Sequence, residues 1–133
     1  MLICTPDGFF NGPDIEFASL AEAQADRLAH IEVAGFQARE RIVRGTHPSE
    51  MASWSLKLAE AQAGGGPLLQ TEADARGVPV SALVAKVQAN AASLAMAEAA
   101  IAGTAGRHRD AIAAMTTIED VAAYDFSAGW PTA

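Results

Sequence analysis

Residues 80–115 constrain this chain more than any other stretch. Val80, Val84, Val87, Ala91, Leu94, Ala97, Ile101, Ala105, His108, Ile112 and Met115 follow one another in steps of three or four. That spacing keeps one stripe on one side of an α-helix. At about 1.5 Å of rise per residue, an unbroken helix of this length reaches roughly 50 Å. A compact small domain has no need of such a length, so the expectation is a rod or a helical hairpin. Gly103 and Gly106 weaken the helix and are where a kink is expected, if there is one. Ala99 and Gly103 also form a pair of small residues, four apart, that would admit a neighbouring backbone.

Composition sharpens the picture. Half of the 133 residues are apolar, enough for a core, but 31 of them are alanine. Alanine favours helix more than any other residue and buries little area. Helices lined with it approach closely along a narrow seam. The expected fold class is therefore mainly α: an elongated antiparallel helical hairpin or small bundle with one long helix in the C-terminal half, plus a short N-terminal β-hairpin. The seam is expected to use Leu28, Ile31, Ile42, Met51, Trp54, Leu58, Val84, Val87, Leu94, Ile101 and Ile112.

Along the chain, residues 1–18 differ from the rest. The apolar run Leu2-Ile3-Cys4 precedes a turn signal at Thr5-Pro6-Asp7-Gly8. Phe9-Phe10, a second turn at Asn11-Gly12-Pro13-Asp14 and Ile15-Glu16-Phe17 follow, a pattern of two or three very short strands. Ser19-Leu20-Ala21-Glu22 reads as a capping box, with serine capping the new helix and glutamate reaching back to the serine N–H. Helices are expected over about 20–44, 48–63, 67–76 and 79–115 within a helical domain of residues 19–115. Gly45, Gly64-Gly65-Gly66 and Gly77 separate them, and a break near Gly35-Phe36 is a further expectation. Residues 116–133 read as a short acidic helix capped by Thr117 and an extended aromatic tail.

Charge and chemistry exclude more than they suggest. A formal charge of −7 argues against nucleic acid as a partner. The cluster Arg39, Arg41 and Arg44 suits a helix C-terminus. With one cysteine, Cys4, no intramolecular disulfide or thiolate metal cluster is expected. No signal sequence and no membrane span are expected, and synthesis in the cytoplasm is the default. His108 falls on the seam, where it would be either a metal ligand or a hydrogen-bonded core histidine; the second reading is preferred, with His30 exposed and His47 in a helix cap. No catalytic residues, cofactor or metal site is expected, and an enzyme is not. Partner-binding residues, if aromatic, are Phe9, Phe10, Phe126 and Trp130.

Three stretches carry a family resemblance. Phe17-Ala18-Ser19-Leu20-Ala21-Glu22-Ala23 is the first. Met51-Ala52-Ser53-Trp54 with Lys57, Glu60-Ala61 and Ala75-Arg76-Gly77 is the second. The acidic short helix ending in Phe126, followed by Gly129-Trp130-Pro131, is the third. Together they resemble small tail-associated proteins of tailed bacteriophages, those encoded near tail-fibre genes. The resemblance implies a non-enzymatic fibre assembly factor, or a small tail-fibre or baseplate component, in the host cytoplasm during assembly or in the virion tail. Its partners would be other phage tail proteins, with homo-oligomers possible. Assembly chaperones of this kind carry a large β-rich N-terminal domain that these residues lack, so chaperone and virion subunit both stand. The residues alone also fit a helical adaptor or oligomerisation module unrelated to phage.

Overall fold

The structure is a computed structural model that describes residues 2–5, 8–11 and 17–132, the first two segments by backbone alone. The turns expected at Pro6-Asp7 and Gly12-Pro13-Asp14, the strand expected at Ile15-Glu16, and the side chains of Cys4, Phe9 and Phe10 lie outside the described residues.

Among the described residues, five helices make the fold: α1 (Leu20–Ile42), α2 (Pro48–Gln62), α3 (Pro67–Arg76), α4 (Val80–Ala114) and α5 (Ile118–Ala123). The expected fold class is corrected at its N-terminal end: the fold is mainly helical, and among the described residues no β-hairpin residue belongs to a packed core. The backbone of Leu2–Thr5 does run antiparallel to Gly8–Asn11. Two four-residue segments, however, are too little sheet to be stable alone in water. Among the described residues, both packed cores are built from the helices and the C-terminal tail.

Local chemistry explains several of the helix boundaries. Glu22 donates its N–H to the Ser19 hydroxyl at 3.1 Å, and its carboxylate accepts the N–H of Ala18 at 3.0 Å. The return bond thus goes one residue earlier than a capping box would send it. α1 passes through Gly35 and Phe36 without a break, correcting the expectation of one there. His47 caps α2 through its ring nitrogen, which accepts the Ser49 N–H at 3.1 Å, and Pro48 takes the first turn where no N–H is needed. Gly77 ends α3 in the left-handed conformation (φ 70°), while the Val78 N–H reaches the Ala73 carbonyl at 3.1 Å. Thr117 caps α5 through its hydroxyl, which accepts the Asp120 N–H.

α4 continues through Gly103 and Gly106, and a Cβ added at either would meet nothing within 4 Å. Among the described residues, none brings its backbone up to Gly103 of the small pair Ala99 and Gly103. By length and composition α4 could cross a membrane, its best window averaging a mean hydropathy of 1.2. Yet Glu98, at mid-helix, takes three hydrogen bonds from the Arg39 guanidinium of α1, so that turn faces another helix of its own chain.

The chain divides into two compact units. The first comprises Met1–Gln37 and Ala102–Trp130. Its core is Ala23, Ile31, Ala105, Ile112 and Val121, covered by Phe17, Leu20, Met115, Ile118, Tyr124, Phe126 and Trp130. The second comprises Ala38–Ile101 and Pro131–Ala133. Ala61, Leu69, Ala73 and Leu83 form its core, with Val80, Val84 and Val87 packed alongside.

Candidate functional site

In the first unit, polar chemistry gathers around His108, which is 2 % exposed. One ring nitrogen, Nε2, lies 2.8 Å from the carbonyl of Ala128. A carbonyl only accepts, so Nε2 carries the proton and donates it. Nδ1 is then left to accept the Tyr124 hydroxyl at 2.6 Å. The Tyr124 ring meets the imidazole edge-on at 5.6 Å, and Trp130 tilts against it at the same distance. With both nitrogens engaged, His108 has no lone pair to offer a metal or a substrate. Among the described residues, no three His, Cys, Asp or Glu side chains are grouped to hold a metal ion.

The aromatic tail docks at the same place. Trp130 donates its indole N–H to the Phe126 carbonyl at 2.8 Å, and the Phe126 ring tilts against His30 at 5.8 Å. Thr104 and Arg107 donate to the carbonyls of Gly129 and Ala128. Phe126 and Trp130 are thus half-buried within their own unit. Of the seam residues in this unit, Ile31 and Ile112 are fully buried, while Leu28 is exposed. Asp125 is held below the usual carboxylate range, first by the Ser127 hydroxyl at 2.6 Å and then by the Ser127 N–H at 2.9 Å.

Two polar side chains finish helices that the pattern of the sequence could not connect. Arg27, 4 % exposed, donates to the carbonyls of Val121 and Ala122 at the end of α5. Gln24 donates to the carbonyls of Ile112 and Met115 at the end of α4. Both reach carbonyls at a helix terminus; those of Ile112 and Val121 also accept the N–H groups of Met115 and Tyr124.

The second unit holds a different kind of feature. Near Leu83 and Val84 the stripe of α4 packs on α2 and α3, where Gln88 donates to the Ala61 carbonyl. Further along, the stripe opens into a cleft of about 800 Å³. Trp54 and Leu58 of α2, Val87, Ala91, Leu94 and Ala97 of α4, Ile42 of α1 and Pro131 of the tail line it. Trp54, Leu58, Val87 and Leu94 are each half-buried, as are Ile42, Met51 and Val84, whereas Ile101 is fully buried. The seam residues of this unit are therefore split between a filled core and an open cleft.

Charged side chains border the cleft. Glu72 accepts from Lys57 at 2.7 Å and lies 3.5 Å from Arg76. The Lys57 hydrogen bond, chiefly, holds the Glu72 carboxyl below its ordinary value, and the charges of Lys57 and Arg76 add to it. Lys86 and Glu50 complete the border. Periodicity pointed to Trp54, Leu58 and Leu94, but nothing in it pointed to Lys57 with Glu72, which are fifteen residues apart on different helices.

No protein-family model, curated protein or solved structure matches this chain.

Proposed function

We propose that this is a non-enzymatic phage-tail protein, a fibre assembly factor or a small tail-fibre or baseplate component, working through helix-to-helix contact. One observation carries the contact: the apolar stripe of α4 is only half-covered from Val87 to Ala97, where with Trp54 and Leu58 it lines a cleft of about 800 Å³. Apolar surface left half-covered in this way marks places where partners bind. The phage assignment draws on the resemblance of residues 17–23, the Met51–Trp54 region and the Gly129-Trp130-Pro131 ending. A helical adaptor outside phage would use the same cleft.

Co-expression with phage tail-fibre and baseplate proteins tests the reading. Co-purification of one of them, lost in Leu94→Glu, is expected. If no tail protein associates and purified particles lack the chain, the phage assignment falls and the adaptor takes its place.

A further inference from the structure

We infer that the cleft in the second unit is filled by helix α1 of a second copy of this chain. The inference rests on the reading of that cleft as a contact surface, and it names the occupant.

The border of the cleft is more basic than the chain that carries it. It holds three cations, Lys57, Arg76 and Lys86, against two carboxylates, Glu50 and Glu72, in a chain whose formal charge is −7. Both lysines of the entire sequence stand there. Glu72 serves Lys57 and Arg76 at once, and among the described residues no carboxylate pairs with the exposed Lys86, so it can attract charge from outside. The occupant is therefore apolar in the middle and acidic at its flanks.

α1 presents such a face. Val33 is 55 % exposed and Phe36 61 % exposed, both large apolar side chains in water on a well-formed helix. They are three residues apart and so share a face. Glu32 and Glu40, both exposed, stand four residues before and after Phe36, on the same line of the helix. Phe36 is the size of side chain that a cleft walled by Trp54 and Leu94 accepts, and Ala91 and Ala97 let the incoming helix come close. The contact pairs unlike surfaces, the cleft of one copy with α1 of the next. Such head-to-tail association builds closed rings or open filaments.

Because the two halves of the contact lie on different parts of the chain, they can be disabled separately. Phe36→Glu spoils the inserted face and Leu94→Glu spoils the cleft. Light scattering on the wild type at about 100 µM should give a mass above one chain, a concentration at which even weak association is visible. Each variant alone should weaken association at least about tenfold. An equimolar mixture should form a species of two chains, since α1 of Leu94→Glu still fits the cleft of Phe36→Glu. Circular dichroism checks that both variants fold, and Lys86→Glu, an exposed site, should weaken association without touching the apolar walls.

A monomeric wild type, a Phe36→Glu variant that associates like wild type, or a mixture that stays monomeric would each overturn the inference. The two proposals separate cleanly. A monomer that still captures a tail protein through Leu94 keeps the cleft and loses the second copy. Restored pairing in the mixture, with no tail protein bound, keeps the second copy and loses the phage partner.

Discussion

The Tyr124 hydroxyl lies 2.6 Å from Nδ1 of His108, and this bond fixes the first turn after α5 to the interior of α4. Tyr124→Phe leaves that nitrogen without a donor, at a cost of about 1–2 kcal/mol. His108→Ala also abandons the Ala128 carbonyl and opens a hole beneath Trp130, costing about 3 kcal/mol. Urea unfolding of both single variants and the double variant should return a coupling of about 1 kcal/mol. Additive losses would show that the two groups act independently. Addition of zinc should leave the midpoint unchanged, since neither ring nitrogen is available.

Two glycines should respond in opposite directions to alanine. Gly103 sits in helical backbone with open space around it, so Gly103→Ala should stabilise by up to about 1 kcal/mol. Gly129 adopts φ 92°, and a Cβ there would overlap the Arg107 guanidinium. Gly129→Ala should therefore destabilise by about 1–2 kcal/mol and loosen the docked tail. Thermal melts compare the pair directly.

Acid should weaken the second unit. Glu72 and Glu98 both titrate below their ordinary value, through hydrogen bonds from Lys57 and Arg39 respectively. A carboxylate with a lowered folded value contributes stability above the unfolded value of about 4.3 and loses it as pH falls through the folded one. Urea midpoints should hold steady from neutrality down to about pH 5 and decline below it as the two carboxylates protonate. Glu72→Gln should flatten part of the decline; an unchanged slope would argue against the Lys57 bond.

Glu60 folds its carboxylate over the start of α3, accepting the N–H groups of Leu68 at 3.1 Å and Leu69 at 2.9 Å. Glu60→Ala should cost about 1 kcal/mol, as loss of a helix cap does. Gly66 has extended backbone open to any residue, yet a Cβ there would overlap that carboxylate. Gly66→Ala should therefore act by displacing Glu60. The double variant should be no less stable than the worse single one.

The sequence yields what local pattern controls. The helix stop at Gly77, the His47 cap and the unbroken stripe of α4 depend on neighbours a few residues away, whereas α1 ends at Ile42, before the stop expected at Gly45. Position within a stripe is harder to read: Leu83, not the nominated Val84, is the deeply buried residue at the head of α4. Periodicity fixes a face to within a residue or so but not which flank sinks deepest. Arg27, Gln24 and Glu60 escaped altogether, because each serves the terminus of another helix, and that pairing exists only after the chain has folded. The cleft escaped for a related reason. A stripe says which side chains want cover, and it does not say how far cover extends.

Helix α5 has six residues, fewer than an isolated helix needs to persist, and its last carbonyls are served by Arg27, 94 residues earlier in the chain. The younger segment thus takes its shape from the older one. During synthesis α1 leaves the ribosome long before α5 does, so the guanidinium waits in place for the helix it will finish.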